Sequence, residues 1–336
     1  MKYRIDRRKA LGLMGGAALV AVPGARVSAQ TLDKVSYQTN WRAQAEHGGF
    51  YLAATNGIYK KHGIECDVRQ GGPQQNPSQL LLGGRVDMIM SNSFEGINYV
   101  KENLPFLVIA SIFQKDPQVI ISHPGVGHDS FEQLKGKPIL VGAGGRVSYW
   151  PFLKARFGYT EEQARPYTFN MAPFLADKQL SQQGFVSSEP YVIMQAGVQP
   201  VVHLIADAGF GNYNTTINIS KKMADEKKDV VQRFVNASLE GWAEYMKGGA
   251  AIEAANAQIK KDNPEMTDDK MAYALKVMNE RGIVRSGDAL KLGIGAMTDE
   301  RWRTFYEQMT AAGVFSAGLD YKKAYSLEFV NKGIGA

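Results

Sequence analysis

Between Val35 and Asn92 the chain alternates strand and helix patterns, and that alternation leaves few folds open. Residues 35–39 read as a strand, followed by a polar loop through Trp41, Glu46 and His47 and a helix over 50–54. A second strand over 64–69 runs into Gly71-Gly72 and the amides Gln74, Gln75 and Asn76. Gly83-Gly-Arg-Val-Asp87 then leads to a third strand over 88–92. Such alternation implies a mostly parallel sheet with helices on its faces. Sheets of this kind take ligands in the crevice beyond their strand C-termini. Here those ends carry Trp41, Glu46, His47, Gly72, Ser91 and Asn92, and no nucleophile–base pair stands out.

The pattern continues with a helix over 94–102 and a strand over 106–113. A second strand series follows, over 117–122, 138–141, 167–169, 184–187 and 201–205, with helices over 149–157, 173–181 and 190–196. After a strand at 215–219 the rest reads as helices over 229–247, 250–261, 267–281 and 298–312. Thr267 and Thr298 suit helix N-caps, with acids in the turn that follows. Gly282 and Gly313 suit helix stops. Trp302, Phe305, Tyr306 and Met309 recur at i, i+3, i+4 and i+7, the spacing of a core-facing helix stripe; Trp242 and Tyr245 are read as core too. The natural arrangement is an α/β chain of two lobes crossed twice, with 31–114 and 211–336 in lobe one and 115–210 in lobe two. Two crossings over a cleft make a hinge.

The first 29 residues read differently. Lys2, Arg4, Arg7, Arg8 and Lys9 precede an apolar run over 11–22, and Val27-Ser-Ala29 offers small residues for cleavage. That is the layout of an export signal. The paired arginines in Asp6-Arg-Arg-Lys-Ala-Leu11 resemble a twin-arginine signal, with an ordinary Sec signal as the alternative. The apolar run is shorter than the roughly 20 residues a membrane-spanning helix needs. Cleavage after Ala29 would release the remainder into a periplasm. Residues 1–29 hold six basic residues against Asp6, so +5 of the chain's net +6 lies there. The rest is close to neutral, which removes the main support for a nucleic-acid or anionic-membrane partner.

Cys66 is the only cysteine, so no internal disulfide and no cysteine-based metal site is expected. The five histidines are scattered without ligand spacing, and His62 and His203 are read as structural. The chain lacks G-x-G-x-x-G after a strand, H-E-x-x-H and C-x-x-C. A non-enzymatic protein without a cofactor is expected.

Three stretches carry a resemblance. They are His47-Gly-Gly-Phe-Tyr-Leu-Ala-Ala-Thr-Asn-Gly-Ile-Tyr-Lys-Lys-His-Gly63, Gly83-Gly-Arg-Val-Asp87 and Ser187-Ser-Glu-Pro-Tyr191. With the element order over residues 31–330, they resemble the periplasmic substrate-binding proteins of ABC transporters. The similar group is the one for nitrate, sulfonates, taurine and the thiamine pyrimidine precursor. The resemblance implies a type II periplasmic-binding-protein fold, two Rossmann-like lobes joined by a two-strand hinge. It implies a small-molecule ligand between the lobes, a membrane permease and ATPase as partners, and a monomer. A fungal pyrimidine synthase resembles the same group, which keeps an enzyme as the rival; its cysteine-rich motif has no counterpart in a chain with one cysteine.

On that reading Trp41 can stack on a flat ligand, or it is a packed loop residue. Glu46 can accept from a ligand amino group or stand as a solvated surface acid, and His47 can face the ligand or cap a helix. Gly72, with Gly71, leaves backbone N–H groups accessible, or simply belongs to a tight turn. Ser91 and Asn92 can serve the following helix N-terminus or the ligand. Gln114 lies at the first crossing. Gly142-Ala-Gly-Gly-Arg146 lacks the nucleotide P-loop pattern, although a helix N-terminus with Arg146 beside it suits an oxyanion. Of Tyr149 and Trp150, one should point into the core and the other offer an aromatic face. Asn170 ends a lobe-two strand, and the resemblance places Glu189 at a strand end entering the cleft. Trp41, Trp150 and Glu189 favour a planar nitrogen heterocycle, such as an aminopyrimidine, over a small oxyanion such as a sulfonate or nitrate, or an aromatic acid.

Overall fold

The computed structural model describes residues 31–72 and 75–336; the stretch read as an export signal, residues 1–29, and Gln74 lie outside the described residues. The first sheet contains β1 (Asp33–Gln38), β2 (Ile64–Arg69), β3 (Met88–Asn92), β4 (Phe106–Phe113) and β10 (Asn214–Ser220). The second contains β5 (Gln118–Ser122), β6 (Ile139–Val141), β7 (Ala164–Pro166), β8 (Ser181–Phe185) and β9 (Val201–Leu204). Their orders are β2-β1-β3-β10-β4 and β7-β6-β8-β5-β9.

The two orders follow one rule. In each sheet four strands share one direction, and the strand delivered by a crossing is inserted antiparallel between the third and the fourth of them. β5 follows the first crossing and β10 follows the second. Each half of the chain thus donates one strand to a mixed sheet, and two α/β lobes share two connecting segments. Periplasmic binding proteins of the two-lobe kind have this fold.

Buried hydrogen bonds tie the two crossings together. Asp116, on the first, accepts from Asn212 Nδ2 at 2.5 Å and from Asn214 Nδ2 at 3.2 Å, both from the second. Burial pushes the Asp116 carboxyl up, and the two amides oppose that shift. Lys115 and Asp207 make a more exposed ion pair at 2.8 Å across the same two segments.

Helix positions follow the apolar periodicity. Thr267 and Thr298 cap their helices through their side chains, accepting from Lys270 N and Arg301 N. Trp302, Phe305, Tyr306 and Met309 are all buried, as are Trp242 and Tyr245. His62 pairs with Glu240 at 2.9 Å and His203 bonds to the His128 carbonyl at 3.0 Å, both structural roles. Cys66 is half-buried on β2, and burial raises its thiol pKa.

Lobe two corrects three expectations. The helix read over 173–181 ends at Ala176, and the strand read over 184–187 lies at Ser181–Phe185. Asp177 terminates the helix by accepting Gln179 N at 2.9 Å, and pairing with β5 and β6 then holds Gln182 and Gln183 extended. The strand read over 167–169 is shifted to Ala164–Pro166, where β7 pairs with β6. Phe169 has φ 60° and cannot continue a strand.

Candidate functional site

The loop after β1 is rigidly built. Thr39 Oγ1 donates to the Trp41 carbonyl at 2.8 Å, and Gly71 N donates to the same carbonyl at 2.8 Å. Only glycine fits at 71, because a Cβ there would sit 2.4 Å from the Thr39 carbonyl oxygen. Gln70 Oε1 accepts Ala43 N at 3.0 Å, and Asn263 Nδ2 donates to the Ala43 carbonyl at 2.9 Å. Trp41 is therefore presented on a backbone fixed from three sides.

A cavity of about 330 Å³ opens beyond the strand ends of both sheets. Trp41, Gln44, Glu46 and Asn92 line it from the first sheet's side, with Asn214 and Thr215 at the start of β10. The register shift in β10 leaves Thr215 at φ 48° as a bulge against the cavity. Gln118, Phe169, Gln183, Ser188 and Glu189 line it from the second. No arginine or lysine is among the described residues that line it. A neighbouring cavity of about 300 Å³ shares Asn40, Met90 and Asn92, and adds Ser91 and Asn76.

Trp41 meets Phe169 across the cleft, with ring centroids 5.2 Å apart and planes at 45°. Phe169 is 56% exposed and packs on Tyr167 at 5.2 Å. An aromatic residue at positive φ is a strained placement, and such strain concentrates at functional sites.

Two carboxyl groups enter the same cavity. Glu46 Oε1 accepts from Ser187 Oγ at 2.5 Å, and Glu189 Oε2 accepts from Phe185 N at 2.7 Å. Burial pushes the Glu46 carboxyl up to about 7; the Ser187 hydroxyl opposes the shift and Glu189 adds to it. Burial raises the Glu189 pKa as well. Both groups sit where a charged carboxylate lacks a counter-ion, so each is disposed to hold a proton or to meet a cationic or N–H-bearing partner.

Of the residues singled out from sequence, Trp41, Glu46, Asn92 and Glu189 meet in this cavity, with Ser91 in its neighbour. Asn92 also caps its helix, accepting Glu95 N at 3.0 Å. Six others are placed elsewhere. His47 is fully buried beneath the loop, its ring nitrogens without a protein partner among the described residues, and burial lowers its pKa to about 3. Trp150 is fully buried against Tyr159, since the helix Tyr149–Phe157 turns both its first aromatic residues into the lobe core. Arg146 points away from the cavity and donates to the Ala164 carbonyl. Gln114 is buried, with Nε2 bonded to the Ser111 and Ala296 carbonyls at 3.0 and 2.9 Å. Asn170 is exposed and caps Ala172 N at 2.9 Å. Gly72 accepts Gln75 N at 3.0 Å within its turn and does not line the cavity.

The sequence reading missed Phe169, Gln118, Gln183 and Thr215. The run Ser181-Gln-Gln-Gly184 was a usable signal, because glutamines inside a central strand need polar work. Phe169 carried none, since its exposure follows from a backbone angle.

The profile of the family described as NMT1/THI5 like matches residues 44–249. A riboflavin-binding protein, RibY, of Chloroflexus aurantiacus is 23% identical over 326 residues, covering 94% of this chain and 91% of that protein. The 4-amino-5-hydroxymethyl-2-methylpyrimidine phosphate synthase of Aspergillus parasiticus is 28% identical over 118 residues, 34% of each chain. Among solved structures, the periplasmic aliphatic sulphonate binding protein SsuA of Escherichia coli superimposes with a TM-score of 0.66 at 13% identity, covering 87% of this chain and 91% of that one.

Proposed function

The chain belongs to the NMT1/THI5-like family, and from that premise we propose that it is the solute-binding protein of an ABC importer, capturing a small planar nitrogen heterocycle between its lobes. In this reading the protein binds and does not catalyse, is exported to the periplasm with cleavage after Ala29, and acts as a monomer. It delivers its ligand to a membrane permease and its ATPase. Lobe one comprises 31–114 and 211–336, and lobe two 115–210. Ligand contacts with both lobes would favour the closed form to the extent that they are better there than in the open form, with the Asp116–Asn212 crossing as hinge.

One observation carries the ligand class. The cleft offers an aromatic ring from each lobe and two carboxyl groups, Glu46 buried and Glu189 half-buried, with no cationic side chain among the described lining residues. Flat rings stack on aromatic faces, and N–H or amino groups satisfy carboxyls. A sulfonate or nitrate would meet two acids and no counter-charge, and Arg146, the group offered for it, is committed to the Ala164 carbonyl. The riboflavin-binding relative matches along nearly the whole chain and binds a planar nitrogen heterocycle, which supports the same class.

A thermal-shift screen of the chain from Gln30 onward tests this, using an aminopyrimidine, riboflavin, an aliphatic sulfonate and nitrate. A ligand at 100-fold over its Kd adds about 2.7 kcal/mol of stability. A shift with a heterocycle is the expected result. A shift with the sulfonate or nitrate alone would overturn the proposed class.

A further inference from the structure

Gln183 is 9% exposed on β8 and lines the cleft. Its Oε1 accepts two hydrogen bonds, from Gly142 N at 2.6 Å and from Tyr149 Oη at 2.9 Å. A backbone N–H can only donate, so the oxygen of the amide must face Gly142. The flipped amide would set NH2 against N–H. Tyr149 is fully buried, and burial raises its phenol pKa, so its hydroxyl stays protonated and able to donate. The glycine leaves room at this contact, since a Cβ at 142 would lie a tight 3.3 Å from Gln183 Oε1.

The consequence falls on the other end of the amide. Nε2 has no protein acceptor among the described residues, and the side chain borders the cavity. A donor at the cavity wall with no protein partner discriminates once a ligand excludes water from it, because a ligand without an acceptor then leaves it unpaired.

We propose that Gln183 is a specificity-determining residue whose locked side-chain amide requires a hydrogen-bond acceptor, such as a ring nitrogen or carbonyl, on the lobe-two side of the ligand. This rests on the reading of the cleft as a heterocycle site. Glu46 and Glu189 ask for ligand donors, and Gln183 asks for an acceptor, so the ligand must carry both kinds of group.

The substitution Gln183→Glu isolates this role. Read at a pH of about 8.5, where it is ionised, a glutamate keeps an oxygen for Gly142 N–H and Tyr149 O–H while removing the free NH2 donor. Titration calorimetry would use 4-amino-5-hydroxymethyl-2-methylpyrimidine and its two analogues with one ring nitrogen replaced by C–H. We expect Gln183→Glu to weaken the parent pyrimidine roughly 10- to 100-fold. On the analogue that lacks the relevant nitrogen the same substitution should change affinity less than about threefold. Gln183→Met serves as a second variant with no donor, read by the same comparison should the glutamate variant not fold. Equal losses on all three ligands, or no loss on the parent, would overturn the assignment while leaving the cleft reading in place. Failure of the wild-type protein to bind any of the three, with a sulfonate bound instead, would overturn the cleft reading itself.

Discussion

Ser187 Oγ donates to Glu46 Oε1 at 2.5 Å across 141 residues of sequence, and the bond joins the loop after β1 to the segment after β8. It is a direct contact between the two lobes, at a carboxyl that also lines the cleft. Beside it Tyr191 packs against Tyr273 with ring centroids 5.3 Å apart and planes at 47°, adding apolar contact along the same edge.

Glu46 should make stability fall with rising pH near neutrality. Burial raises its carboxyl from 4.5 to about 7, with Glu189 near it as a second acid. Between those values the folded protein keeps a proton that the unfolded chain releases, so this contribution is full below about 4.5 and is lost as pH rises through 7. The shift is worth on the order of 3 kcal/mol. Glu46→Gln should therefore gain stability over wild type between pH 5 and pH 8 in urea titrations. A difference between the two that does not change with pH would contradict this.

His47 acts in the opposite direction on the acid side. Its pKa falls from 6.5 to about 3 on burial. The unfolded chain takes up a proton below 6.5 that the folded protein refuses, so stability drops as pH falls from 6.5 towards 3. His47→Leu should flatten the pH dependence of Tm between 6.5 and 4. Circular-dichroism melts at half-unit steps would read the slope directly.

Phe169→Gly should separate binding from stability. The change removes the ring that faces Trp41 and places at φ 60° the residue that adopts it freely. Tm is expected to hold within a few degrees, while affinity for a planar heterocycle falls roughly tenfold. Trp41→Ala should lower affinity as much or more. An affinity unchanged in both variants would remove the aromatic clamp from the account.

Gly49→Ala should destabilise lobe one by at least about 2 kcal/mol. The helices Gly48–Thr55 and Lys228–Tyr245 touch so closely that a Cβ on Gly49 would lie 2.2 Å from Trp242 Cγ. Trp242 is fully buried and has no room to yield. The midpoint of chemical denaturation would register the loss.

Arg146→Ala should leave ligand affinity within about twofold of wild type, since its guanidinium serves the Ala164 carbonyl rather than the cavity. Glu189→Gln should cost heterocycle affinity about tenfold or more, as a carboxyl in the cleft becomes a neutral amide. Calorimetry on both variants orders the two effects. The reverse order would restore an oxyanion reading.

Local patterns determined much of this protein. β2, β3 and β4 begin and end where their apolar runs place them, and Thr267 and Thr298 cap their helices by a bond reaching three residues. Apolar stripes likewise announced Trp302 and Trp242 as core, and the order of elements announced two lobes. These features depend on neighbours a few residues away, which the sequence displays. The cleft does not. Whether Trp41 or Trp150 faces it is decided by how a helix is rotated against its sheet, and Gln183 is aimed by Gly142 and Tyr149, 41 and 34 residues away. Phe169 meets Trp41, and Ser187 meets Glu46, only once two crossings have brought separate sheets together. A binding site is assembled from long-range contacts whose geometry depends on packing, and only the tertiary structure decided which of the many polar residues at strand ends would share one cavity.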